Sequence, residues 1–269
     1  MALRFALNHM AAPGLRPEAL FALARRLGIT EVEIRNDLAG NALVDGTPAE
    51  AVRKAAEAAG VTLITINALQ RFNQWSAARA AEAKDLAAYC KASGTKALVL
   101  VPVNDTAWTP DTAARLAGLR ESLSGLAPIL EAAGLIGFVE PLGFPECSLR
   151  LKREAIEAID ELGLAARFKV VHDTFHHRLS GEKEMFPART GLVHVSGMED
   201  TSFPVELARD AHRVLVGPGD LLGNREQVKA LAAGGYAGPL SFEPFADSVH
   251  RSKDIEADLR TSMDYLSKA

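Results

Sequence analysis

The chain has 269 residues, with 30 Lys and Arg against 34 Asp and Glu for a formal net charge of −4, and 48% of it is hydrophobic. That is ordinary globular composition, which excludes wholesale disorder, and no run of one charge forms the basic stripe that a nucleic-acid partner requires. The longest apolar stretch, Ala97 to Val103, contains Pro102 and falls well short of the roughly 20 residues of a membrane-spanning helix.

In chain order, short apolar runs alternate with longer stretches of helical period. Arg4–Asn8 reads as the first strand; Arg4, Asn8 and His9 also interrupt any secretory core at the N-terminus. Leu20, Leu23, Ala24 and Leu27 then recur at helical spacing, and Gly28 follows as a left-handed stop. Glu31–Arg35 is the second expected strand. Thr47-Pro48-Ala49-Glu50 is a candidate capping box with proline at the first helical position. Gly60 separates that helix from the third strand, Thr62–Asn67, and Gly94 precedes the fourth, Ala97–Pro102. Thr109-Pro110 repeats the cap-plus-proline pattern, and Pro128 is expected to kink or split the stretch Thr112–Ala133.

Beyond Gly134 and Gly163 come strands at Ile136–Glu140, Phe168–Asp173, Leu192–Ser196 and Pro239–Glu243. The segment Gly217-Pro-Gly-Asp-Leu-Leu-Gly-Asn224 lacks the Gly-Lys-Ser/Thr end of a phosphate loop and reads as a turn into a helix, so a phosphorylated substrate is disfavoured. A last stripe, Ile255, Leu259, Met263 and Leu266, marks the final helix. The two cysteines, Cys90 and Cys147, have no CxxC spacing and suit a reducing cytoplasm.

Eight strand–helix units over this length give about 34 residues each, the spacing of a (β/α)8 TIM barrel. A doubly wound open sheet would carry a glycine-rich loop after its first strand, and Asn8-His9-Met10-Ala11-Ala12-Pro13-Gly14 is not one. No linker or composition shift divides residues 1–269, so a single α/β domain is expected.

Seven of the eight strands end at or near a polar residue: Asn8, Arg35, Asn67, Glu140, Asp173, His194 and Glu243. A strand covered on both faces has no structural need of a charge, and barrel active sites lie at the carboxyl ends of strands. Strands five to eight each offer one ligand type in Glu140, Asp173, His194 and Glu243. Taken singly, a terminal Glu can be a loop ion pair, Asp173 a helix N-cap and His194 a core histidine. Taken together, neighbouring strands about 4.8 Å apart can bring them onto one ion. Three carboxylates and an imidazole suit one divalent metal ion, Mn2+, Mg2+ or Co2+, with Zn2+ tolerable.

The segments Glu140-Pro-Leu-Gly-Phe-Pro-Glu-Cys147, Val171-His-Asp-Thr-Phe-His-His177 and Val193-His-Val-Ser-Gly-Met-Glu-Asp200 resemble strands five to seven of the xylose-isomerase-like barrel superfamily. Asp210-Ala-His-Arg-Val-Leu-Val-Gly-Pro-Gly-Asp220, Ser241-Phe-Glu-Pro-Phe245, Glu33-Ile-Arg35 and Asn67-Ala-Leu-Gln-Arg-Phe-Asn73 continue the likeness over nearly the whole chain. Within the superfamily the similarity is greatest to the 2-keto-myo-inositol (inosose) isomerases. The resemblance implies metal ligation by Glu140, Asp173, His194 and Glu243, and proton exchange by Glu140 and Glu243. It also implies substrate contacts from His176 and Arg213. One departure is that Ser196-Gly197 stands where many relatives carry acidic residues.

The expected chemistry is isomerisation or epimerisation through removal of a proton α to a carbonyl, the ene-diolate being stabilised by the metal. Asn8, Arg35, Asn67, His176 and Arg213 would form a cradle for a small polyol, keto-sugar or inosose. Phe72, Trp75 and Trp108 would either face its carbons or pack between loops and helices. His172 should point away from the mouth and His250 should be exposed; His9 is placed at the rim. Related activities on the same barrel are ketohexose 3-epimerisation, hydroxypyruvate isomerisation and keto-cyclitol dehydration. An abasic-site endonuclease would need several zinc ions, more histidines and a basic rim, against which the net charge argues. A non-catalytic carbohydrate-binding barrel would bind without proton exchange. A homo-oligomer is compatible with the composition.

Overall fold

A computed structural model describes residues 3–38 and 46–268. Eight parallel strands close into a barrel in sequence order: β1 (Phe5–Asn8), β2 (Glu31–Arg35), β3 (Thr62–Gln70), β4 (Ala97–Val101), β5 (Ile136–Val139), β6 (Phe168–Asp173), β7 (Thr190–Val195) and β8 (Leu240–Phe242). Around them lie α1 (Pro17–Arg26), α2 (Ala49–Ala59), α3 (Ala77–Ser93), α4 (Thr112–Ala133), α5 (Lys152–Glu161), α6 (Thr174–Ser180), α7 (Asn224–Ala233), α8 (Asp247–His250) and α9 (Ile255–Ser267). This is a (β/α)8 TIM barrel. Among the described residues no helix is long and apolar enough to cross a membrane.

The period of two along each strand sorts its residues between two environments. Leu7, Ile34, Ile66, Val139, Val193 and Phe242 face the helices in the main core. The residues between them point into the barrel. There, Ala68, Val99, Val171 and Leu192 make a small apolar cluster drawn from strands alone, Ala68 joining it beside inward Asn67 where β3 is irregular and its register against β4 shifts. Asn8, Glu33, Arg35, Asn67, Glu140, Asp173, His194 and Glu243 share that inward parity, and all are buried. Strand register sets their heights: Asp173 pairs with His194, His194 with Ser241, Asn8 with Glu33, and Arg35 with Asn67.

Gly28, Gly60, Gly94, Gly134 and Gly163 all have φ between +67° and +77° and lie between a helix and the next strand. Two local expectations fail, and of the alternatives at Pro128 the split does not occur. The capping box at Thr47 does not form: α2 starts after Pro48 without a side-chain cap, because Glu50 binds Arg53 instead, at 2.9 and 2.5 Å. Asp111, rather than Thr109, caps α4, accepting from Ala114 N at 2.8 Å. Pro128 does not split α4, which runs on to Ala133. Ser124, whose carbonyl Pro128 cannot satisfy, is exposed, so water can take that carbonyl. Strand β3 also runs three residues beyond Asn67, to Gln70, with a register shift before Leu69, so Asn67 lies inside a strand.

Candidate metal centre

Glu140, Asp173, His194 and Glu243 come together: one ligand atom from each lies within 4.8 Å of the other three, and all four residues are buried. His194 Nδ1 is 2.7 Å from Glu140 Oε1, 3.3 Å from Glu243 Oε2 and 3.9 Å from Asp173 Oδ2. Ligand atoms sharing an ion at about 2.0–2.2 Å lie about 3–4.4 Å from one another, so this donor set fits one divalent cation with little adjustment. Asp173 serves two purposes. Its Oδ1 caps α6, accepting from Phe175 N at 2.8 Å and His176 N at 3.0 Å, while Oδ2 faces the centre. The N-cap alternative is therefore correct for this residue, and it leaves the second oxygen facing the cluster.

Two arginines hold carboxylate oxygens of the cluster. Arg213 donates to Asp173 Oδ2 at 2.6 Å and Glu243 Oε2 at 3.0 Å. Arg35 donates to Glu243 Oε1 at 2.6 Å and grips Asp37 through Nε and Nη2 at 2.8 and 2.7 Å. Arg213 lies between the rings of Phe245 and Phe175, 4.6 and 5.1 Å from their centroids. It reaches the barrel because Gly197 pairs with Val214 through two backbone hydrogen bonds, and a Cβ at Gly197 would sit 2.8 Å from Leu215 O. Ser196 Oγ accepts from Arg213 Nε at 2.9 Å. The departure at Ser196-Gly197 is thus the seat of Arg213: an acidic side chain at position 197 would have no room.

A cavity of about 310 Å3 opens onto this cluster, lined by Arg35, Asn67, Glu140, His176, Arg213 and Glu243 among others. Asn67 Nδ2 and His176 Nδ1 are buried and have no hydrogen-bond partner. Asn8, expected to face substrate, does not line the cavity. Its amide nitrogen contacts Glu33 and Glu243, each at 3.2 Å, and its oxygen accepts from Met10 N at 2.9 Å. Phe72 is fully buried in the main core, Trp75 packs over Gly125 of α4, and Trp108 lies in a separate surface groove. The aromatic faces of the cavity are instead Phe144 and Phe245. These two lie in loops after β5 and β8, where strand-end polarity gives no signal.

His172 points outward as expected, 2.8 Å from Gln227 of α7. His9 is buried rather than at a rim, its Nε2 2.7 Å from Leu15 O, and His250 is half-buried against Pro244 O. Sequence reasoning assigned no role to Glu33, although a carboxylate in mid-strand with the parity of Arg35 was a usable signal. It lies in the barrel interior, 3.1 and 3.2 Å from His194 Nε2.

Burial disfavours charge throughout the cluster, and its members answer differently. Burial raises Glu243, and Glu140 adds to the effect against His194, Arg213 and Arg35, leaving it at about 7. Burial would lower His194, but Glu243, Glu33 and Glu140 hold it well above the usual imidazole range. Burial works against ionised Glu33 too, yet His194, Ser241 and Thr65 keep it at about 2. Arg213 is the strongest of the influences that keep Asp173 well below the usual carboxylate range despite burial.

The parallel barrel with an acid-and-imidazole cluster at the carboxyl ends of its strands defines the class. Residues 21–269 match the family model of the xylose isomerase-like TIM barrel, and the chain belongs to that family. It is 35% identical to a xylose isomerase domain containing protein from Salmonella typhimurium LT2, with a TM-score of 0.88 over 98% of this chain and 97% of that one. The fold is shared with an IolI protein bearing a bound zinc atom, at TM-score 0.88 and 21% identity over 99% of each chain. It is also shared with D-psicose 3-epimerase from Clostridium cellulolyticum H10, solved with D-tagatose, at TM-score 0.76 and 16% identity over 99% of each. No curated protein matches the chain.

Proposed function

We propose that the protein is a divalent-cation-dependent isomerase or epimerase of neutral keto-polyols that moves a proton α to the carbonyl, with 2-keto-myo-inositol the first substrate to test. The observation that carries this is the gathering of Glu140, Asp173, His194 and Glu243 within 4.8 Å, next to a cavity in which Asn67 and His176 keep buried nitrogens without partners. A cation held by the four would stabilise the negative charge that develops on the substrate oxygens. Glu140 and Glu243, at the ends of β5 and β8, both line the cavity and would take and return the proton. Arg35 and Arg213 fix the orientation of Glu243 by holding its two oxygens. Asn67 and His176 are free to bind hydroxyls, and Phe144 and Phe245 offer apolar faces to ring carbons.

A phosphorylated substrate fits poorly. Each arginine on the cavity wall is already paired: Arg35 with Asp37 and Glu243, Arg71 with Asp105, and Arg213 with Asp173, Asp210 and Glu243. The D-psicose 3-epimerase likeness supports a sugar-sized ketone. We place the activity in the cytoplasm on small molecules, with no nucleic-acid or membrane partner, in keeping with the net charge of −4.

The test is deuterium wash-in from solvent over a panel of inososes, ketohexoses and hydroxypyruvate. Exchange into one class is expected, lost on chelation and restored by Mn2+, Co2+, Mg2+ or Zn2+. Exchange that survives exhaustive chelation, or none with any member after reloading, would remove the proposal. Cation affinity should also rise with pH. Binding needs Glu243 and His194 Nδ1 unprotonated, and Glu243 takes a proton as pH falls through about 7. Affinity should therefore drop below that point by up to about tenfold per pH unit for each proton displaced; calorimetry from pH 6 to 8 checks it, and a flat profile contradicts it.

A further inference from the structure

Glu33 is a fully buried carboxylate with no part in the chemistry proposed above. It lies on β2, in register with Asn8 of β1 and Thr65 of β3, on the inward face shared with Arg35. Groups from four other strands converge on it. Thr65 Oγ1 donates to it at 2.5 Å, the Ser241 hydroxyl donates, and Asn8 Nδ2 donates at 3.2 Å. The fourth is His194, whose Nε2 lies 3.1 and 3.2 Å from the two carboxylate oxygens.

An ionised carboxylate only accepts, so the ring nitrogen facing it must carry a hydrogen. Nδ1 faces Glu140, Asp173 and Glu243, 2.7 Å from Glu140 Oε1, so a cation entering among these carboxylates would displace the hydrogen on Nδ1 and take its lone pair while the hydrogen on Nε2 stays with Glu33. We propose that Glu33 is a positioning residue: it holds the hydrogen of His194 on Nε2, fixes the ring plane and makes Nδ1 the atom that ligates the cation. A neutral acceptor could hold the same hydrogen, but a charged one does so more strongly and makes Nδ1 a better donor to a metal. Burying a carboxylate is costly unless its oxygens are satisfied, and the ring of donors around Glu33 meets that condition. The arrangement is therefore a complete unit of carboxylate, imidazole and ligand pocket spanning β2, β7 and the mouth of the barrel.

The inference rests on the cation site proposed above, and two measurements separate it from that site. The first is the nitrogen NMR spectrum of 15N-histidine-labelled wild-type protein loaded with Zn2+. His194 is expected to show a protonated Nε2 and a metal-shifted Nδ1; the reverse assignment would overturn the proposal. The second is Zn2+ affinity by competition with a chromophoric chelator. Glu33→Gln, checked for folding by circular dichroism and melting, is expected to bind Zn2+ about 10–100-fold more weakly than wild type. An affinity within about twofold of wild type would overturn the role of Glu33 while leaving the cation site standing. A wild-type protein that binds no Zn2+ would overturn both. If Glu33→Gln fails to fold, the wild-type spectrum decides alone.

Discussion

Glu243→Gln is expected to lower kcat by about 10²–10⁴-fold, the usual contribution of a positioned acid or base, while the fold survives. Glutamine keeps the volume and one acceptor oxygen but cannot carry the α-proton. The fold should tolerate the exchange because neither arginine is left alone. Arg35 keeps its two bonds to Asp37, and Arg213 keeps Asp173 and Asp210. Ligation is lost in part as well, so the rate is to be compared at saturating cation, with the variant's affinity measured separately. Equilibration of the active substrate at the wild-type rate would show that Glu243 is not the proton carrier.

The second large effect concerns stability. Arg213→Met should destabilise the cation-free protein by about 3–5 kcal/mol, the usual consequence of removing one partner from a buried ion pair. Arg213 is 1% exposed and is the guanidinium shared by Asp173 and Glu243, so its loss leaves carboxylates buried beside one another. Arg213→Lys should recover little. One ammonium cannot reproduce contacts to Ser196, Asp173, Glu243 and Asp210 together, nor stack between Phe175 and Phe245. Saturating divalent cation should shrink the deficit, since it supplies the countercharge that the arginine no longer does. Urea unfolding with and without cation measures both quantities; a cation-free loss below about 1 kcal/mol would contradict the account.

These two residues differ in how visible their roles were. Glu243 follows a short apolar strand, and a carboxylate at that place in a barrel is a functional signal by itself. Arg213 lies in a loop, and only family likeness pointed to it. Its placement depends on Gly197 admitting the backbone of Leu215 to close range, a contact between segments that local sequence does not encode. Asn8 shows the converse. It has the right residue type at the right strand end, yet its amide is consumed by Glu33 and Glu243 on neighbouring strands, so it supports the site from within instead of facing the cavity.

The sequence alone determined the barrel and the inward set of polar side chains. Strand and helix periods are local properties, and left-handed glycines between helices and strands are local punctuation. Period-two alternation then places Glu140, Asp173, His194 and Glu243 on the inner face without further information. Which of those inward groups touch was decided only in three dimensions, because the stagger of strands around a closed barrel sets the height of each residue against the next. That stagger brought Glu33 under His194 and Arg35 against Glu243, while contacts between loops brought Arg213 to the same carboxylate.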